Sequence, residues 1–92
     1  LDMVKGYDDG YFRPENTINR AEYYKVLISA SGLNLQTPTN DPFRDVPMGE
    51  WFTNAVYTAL SNKIIDSANY FSPDQAVSRA EVAESLYRLL NK

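Results

Sequence analysis

The sequence predicts an all-α fold built from helical repeats with short loops. Three observations carry that prediction. Three stretches place apolar residues at the i, i+3, i+4, i+7 spacing of a helix face. Two of them open on matching tetrads, Asn19-Arg20-Ala21-Glu22 and Ser78-Arg79-Ala80-Glu81. The tetrads belong to an internal repeat: at an offset of 59 residues, Tyr11-Phe12-Arg13-Pro14 falls on Tyr70-Phe71-Ser72-Pro73 and Leu27 falls on Leu86. Seven identities at one offset, with an Arg-Ala-Glu triplet among them, are hard to obtain by chance in so short a span.

The first helix is expected to begin after Asn19, with Tyr23, Val26, Leu27 and Ala30 inward and Gly32 as its stop. The second is expected near Gly49 or Glu50, just after Pro47, with Trp51, Ala55, Ala59 and Leu60 inward and Val56 beside them. The third is expected after Ser78, with Val82, Ala83, Leu86, Leu89 and Leu90 inward. Each tetrad reads as a capping box. Asn19 or Ser78 accepts from the N3 amide, and Glu22 or Glu81 reaches back to the N-cap amide. Ile18 with Tyr23, and Val77 with Val82, occupy the positions of a hydrophobic staple. The segments before the caps, 6–14 and 67–73, read as turns with a very short strand at each Tyr-Phe pair. Gly6 and Gly10 permit a positive φ there, and the second copy has no glycine in that place.

The repeat also sets the organisation. Residues 1–32 read as the latter half of one repeat, 33–42 as an aperiodic linker and 43–92 as a complete second repeat. This layout predicts either a piece of a longer polypeptide or a chain that completes its bundle by association with another.

Composition excludes several functions. The 92 residues carry a formal charge of -3, and their nine basic residues form no run, which argues against nucleic acid. No apolar stretch approaches the ~20 residues of a membrane span. With neither Cys nor His, the chain lacks thiol nucleophiles, Ser-His relays and the usual zinc ligands. Asp8, Asp9 and Gly10 suggest calcium, but counting from Asp8 the acids required at alternate positions and at position twelve are missing. No metal, cofactor or catalytic residue is therefore expected. Twelve acidic residues do not by themselves fix a catalytic pair around a cleft.

The ordered residues Phe43-x-Asp45-Val46-Pro47, Trp51, Ala55-Val56, Ile64-Ile65, Phe71-x-Pro73 and Val77-Ser78-Arg79-Ala80-Glu81 resemble the S-layer homology motif along its whole length. Gly6-Tyr7-x-Asp9-Gly10-x-Phe12-x-Pro14 followed by Ile18-Asn19-Arg20-Ala21-Glu22 resembles the latter part of the same motif. The resemblance implies three repeats in pseudo-threefold arrangement around a central three-helix bundle. It also implies an extracellular location on a bacterial cell wall. There the module would attach non-covalently to secondary cell-wall polysaccharide, commonly through pyruvylated sugars in grooves between neighbouring repeats. The motif's Arg is the principal ligand contact, a role that falls here on Arg20 and Arg79. Gly6, Asp9 and Gly10 would shape the Arg20 groove.

Local physics agrees with that role. An Arg at the first helical position sits beside the free N–H groups and positive dipole end of its helix, and its planar fork matches a carboxylate. Trp51 or Tyr11 would cover a sugar's apolar face. Two departures from the motif matter. Asn19 and Ser78 stand where the family has Thr, and both still cap. The second copy lacks the Gly-x-x-Asp-Gly turn, so Arg20 is the stronger candidate. For both arginines the plainer reading is a solvated helix-start residue, and for Trp51 it is core packing. The rival function is a structural spacer or protein-docking module within a surface layer, which would tolerate loss of Arg20.

Overall fold

The computed structural model describes residues 18–92. The predicted turn at 6–14, its Tyr11-Phe12 strand and the candidates Gly6, Asp9 and Gly10 lie outside the described residues. Among these residues three helices follow one another: α1 (Arg20–Ser31), α2 (Thr53–Ser61) and α3 (Arg79–Leu90). The fold is all-α. Among the described residues, extended backbone pairs only at isolated bridges, Asn19 with Ala76 and Phe43 with Val46. The expected strand at Tyr70-Phe71 does not form, because this backbone is held by a side chain instead, as described below.

The start and stop of α1 lie where short-range chemistry puts them. Asn19 is extended and its Oδ1 accepts from the Glu22 N–H at 2.8 Å, while Glu22 Oε1 accepts from the Asn19 N–H at 2.9 Å. Gly32 ends the helix in the left-handed region at φ 81°. The buried face differs from the expected stripe. Ala21, Tyr23, Tyr24, Leu27 and Ile28 are buried, whereas Val26 is 57% exposed and Ala30 is exposed. Apolar residues encircle most of this helix, so spacing alone did not single out one arc.

α2 begins three residues later than expected from Glu50. Gly49, at φ 95°, and residues 50–52 form a turn instead. Thr53 holds that turn: its Oγ1 donates to Pro47 O at 2.6 Å and accepts from the Glu50 N–H at 3.1 Å. Trp51 is carried on the turn, 56% exposed, and is not on the inner face. The buried side of α2 is Thr53, Ala55, Val56, Thr58 and Ala59. These small residues let α2 lie close against α1. Buried Thr58 is satisfied, donating to Asn54 O at 2.7 Å and accepting the linker's Gln36 N–H at 2.8 Å. The helix ends in a Schellman motif, with Ile64 N–H on Ala59 O at 2.9 Å and Lys63 N–H on Leu60 O at 3.0 Å. Lys63 takes the left-handed position, at φ 62°.

α3 buries Val82 and Ser85, with Leu86 and Leu89 partly covered. Ala83 and Leu90, expected inward, are exposed. A buried hydrogen bond joins α3 to α1. Ser85 Oγ donates to Val82 O at 3.0 Å, so the Tyr23 hydroxyl donates to Ser85 Oγ, at 2.6 Å. One continuous core joins the three helices and the segments between them. Phe71 lies at its centre, with Phe43 and Tyr24 at ring-centroid distances of 5.4 and 5.7 Å. Among the described residues every buried side-chain polar atom has a partner, as stability requires when each orphan costs about 1–3 kcal/mol.

Candidate functional site

The candidate site forms where the start of α1 meets the segment leading to α3. Its foundation is Asp45, whose two carboxylate oxygens accept the N–H groups of Phe71 and Ser72, each at 2.8 Å. Ser72 is left-handed at φ 62°, and Asp45 holds the turn that places it there. The turn presents the Phe71 carbonyl to α1, where Arg20 Nη1 donates to it. The Arg20 guanidinium also lies 4.2 Å from the centroid of the Phe71 ring, within cation–π range.

The rest of the guanidinium faces Glu81, 61 residues on. Arg20 Nε lies 3.0 and 2.7 Å from the two Glu81 oxygens, and Nη2 lies 2.7 Å from Oε2. The Tyr24 hydroxyl donates to the same Oε2 at 2.8 Å. Arg20 and Glu81 side chains are 20% and 23% exposed, so the pair is screened by protein on most sides but reachable from solvent. Burial, and then the hydrogen bond to Glu81, push the Tyr24 phenol well above its ordinary range.

The helix start is not the open anion receptor that local chemistry suggests. Its four terminal N–H groups are taken. Arg20 N–H donates to Gln75 O at 2.8 Å and Ala21 N–H to Pro73 O at 3.0 Å, both in the segment before α3. Glu22 N–H donates to Asn19 Oδ1, and Tyr23 N–H to Asn19 O at 2.9 Å. Any anion held here is therefore held by the side chain of Arg20.

The two tetrads also differ. Ser78 Oγ accepts the Glu81 N–H at 3.1 Å, but the Glu81 carboxylate turns to Arg20 and Tyr24 and leaves its capping box half-made. Glu22, its repeat equivalent, closes its box. Reading both glutamates as caps was correct for one of them.

The profile of the family described as S-layer homology domain matches residues 1–23 and 42–83. The chain belongs to the S-layer homology family. Membership places it at the bacterial cell surface. Among relatives, it is 31% identical to a surface-layer 125 kDa protein of Lysinibacillus sphaericus over 91% of this chain. It is 30% identical to a cellulosome-anchoring protein of Acetivibrio thermocellus over 98% of this chain, and 33% identical to cell surface glycoprotein 1 of the same organism over 97%. The chain spans 7%, 21% and 4% of those three proteins' lengths respectively. No solved structure matches it significantly.

Within this S-layer homology chain, the expected ligand residues are dispersed. Arg20 lies at the junction just described. Arg79 opens α3 at an exposed position. Trp51 stands on the turn before α2 with its ring edge-on to Phe52, centroids 5.1 Å apart, so most of its surface faces solvent. Asp45, Tyr24, Phe71 and Glu81 were not among the expected site residues. Asp45 and Glu81 both lay in the quoted motif, but nothing local to either betrays its partner. Beside the junction, Val26, Ala30, Leu86 and Leu89 help line an apolar cleft of about 250 Å³ between α1 and α3. Among the described residues, no helix is long and apolar enough to cross a membrane.

Proposed function

We propose that this chain is a non-catalytic module that holds a surface protein on the bacterial wall by binding secondary cell-wall polysaccharide, with an acidic, pyruvylated sugar engaged at Arg20. The observation that carries this reading is the carboxylate Arg20 already holds. Glu81 lies along the Nε–Nη2 edge of the guanidinium, its Oε2 2.7 Å from both nitrogens, against an aromatic ring and at a solvent-reachable junction between repeats. A pyruvyl ketal presents the same chemical group on an otherwise neutral sugar. Trp51 offers an exposed aromatic face for stacking, and relatives named as surface-layer and anchoring proteins share the sequence across nearly its whole length.

On the same reading the chain comprises a half repeat at 1–32, a linker at 33–42 and a whole repeat at 43–92. A further repeat, in the same polypeptide or another chain, supplies the third helix of a pseudo-threefold bundle, packed on the apolar cleft beside Val26 and Leu89. That cleft also favours the rival reading, in which the module serves only to dock other repeats.

Co-sedimentation with purified cell-wall sacculi separates the two. The chain and its Arg20→Ala variant, each checked for folding by circular dichroism, are mixed with untreated walls and with walls stripped of secondary polymer. Pelleting that requires both the polymer and Arg20 is expected. A folded chain that ignores both kinds of wall favours docking.

A further inference from the structure

We infer that Glu81 is a specificity-determining residue of the Arg20 site: an internal competitor that an incoming carboxylate must displace. The inference rests on the wall-binding reading. Its basis is the difference between the two equivalent glutamates. Glu22 and Glu81 occupy the same position in the same Arg-Ala-Glu triplet, three residues after an N-cap. Glu22 accepts its own N-cap amide at 2.9 Å. Glu81 bonds Arg20 and Tyr24 instead, although its own cap stands ready, with Ser78 extended at φ -89° and Oγ already bonded to the Glu81 N–H. Glu81 thus has two alternative sets of partners, and Glu22 demonstrates the second.

Exchange follows without leaving a buried charge unpaired. A ligand carboxylate takes the Arg20 fork, which retains the Phe71 carbonyl and ring behind it. Glu81 turns back to the Ser78 N–H and completes its capping box. Tyr24, whose hydroxyl pointed at Glu81 Oε2, is left to donate to the ligand carboxylate in its place. The consequence is selective. A neutral sugar cannot displace an anion from an arginine, so Glu81 excludes uncharged wall glycans and admits acidic ones. The ligand class is a sugar bearing a single planar carboxylate.

The test uses the full chain and, as probe, a methyl hexopyranoside carrying a 4,6-pyruvyl ketal, with the unmodified methyl hexopyranoside as the neutral comparison. Glu81→Gln keeps the shape and the Tyr24 acceptor but removes the competing charge. Because charge-assisted hydrogen bonds are roughly twice as strong as neutral ones, the probe should bind Glu81→Gln about tenfold more tightly than the native chain by calorimetry. Arg20→Ala should abolish binding. In the native chain the Ser78 amide should gain hydrogen-exchange protection when the probe is added. If Arg20 is required but Glu81→Gln binds no more tightly and Ser78 is unchanged, the competitor role is wrong and the binding site stands. If the probe binds neither chain, or binds Arg20→Ala as well as the native chain, the Arg20 site itself is wrong and the competitor role falls with it.

Discussion

Replacing Glu81 by alanine removes the acceptor for Arg20 Nε, Arg20 Nη2 and the Tyr24 hydroxyl together. The hydroxyl belongs to a residue only 1% exposed, so water reaches it only through the space the carboxylate vacates. A hydrogen bond to a charged group contributes about 1.5–3 kcal/mol, and an orphaned buried hydroxyl costs about 1–3 kcal/mol. Arg20 is one-fifth exposed and is rehydrated in part, which places the net loss at about 2–3 kcal/mol. For a chain of this size 1 kcal/mol moves Tm by roughly 4–8 °C, so Glu81→Ala should melt about 10–20 °C lower. The loss belongs to the pair and not to either residue alone. In a double-mutant cycle by urea denaturation, Arg20→Ala and Glu81→Ala should couple by at least about 1 kcal/mol. The exposed i,i+4 pair Arg88 and Glu84, 2.8 Å apart, supplies an internal control and should couple by about 0.3–0.5 kcal/mol. Equal coupling in the two cycles would refute the idea that the junction between the repeats rests on this contact.

Other outcomes follow from single residues. Lys63→Gly removes a side chain from the left-handed position that ends α2, and should raise stability by about 0.5–1 kcal/mol in thermal melts. Burial pushes the phenols of Tyr23 and Tyr24 above the ordinary tyrosine range in the folded state. Their contribution is complete below the unfolded pKa near 10 and is lost as pH rises toward the folded values, at no more than about 1.4 kcal/mol per pH unit per tyrosine, a limit reached once the unfolded phenol is ionised. Melts between about pH 9 and 11, on either side of the unfolded phenol's own value, should therefore fall, and Tyr24→Phe, which removes the larger of the two shifts, should flatten that fall. Trp51→Ala should change stability by less than about 0.5 kcal/mol, because the ring is mostly solvated, yet weaken pelleting with polymer-bearing walls.

How much of this protein was legible in its sequence follows from how far apart the interacting groups lie. The capping box of Asn19 and Glu22 and the stop at Gly32 are chemistry between residues within four positions of each other, and they formed as read. So did the start of α3 at Ser78, whose hydroxyl caps a neighbouring amide. The ordered motif residues, occurring twice, were sufficient to place the chain in its family, because a motif records the order of residues and needs no contact between them. The inward arc of α1 was not legible. Its apolar residues nearly encircle the helix, and the choice of Tyr24 over Val26 was made by Phe71 and Glu81, which approach from the other repeat. The late start of α2 was decided by Thr53, which bonds Pro47 and Glu50 and keeps Trp51 outside the helix. Glu81 is the sharpest case. By itself the sequence determined that this residue stands where a cap should form and which residue types surround it. Only the tertiary structure, by bringing Arg20 within 2.7 Å across 61 residues of chain, decided that it holds the other repeat instead. The physical reason is that a charged fork behind a screening aromatic ring is a stronger partner for a carboxylate than one backbone amide open to water.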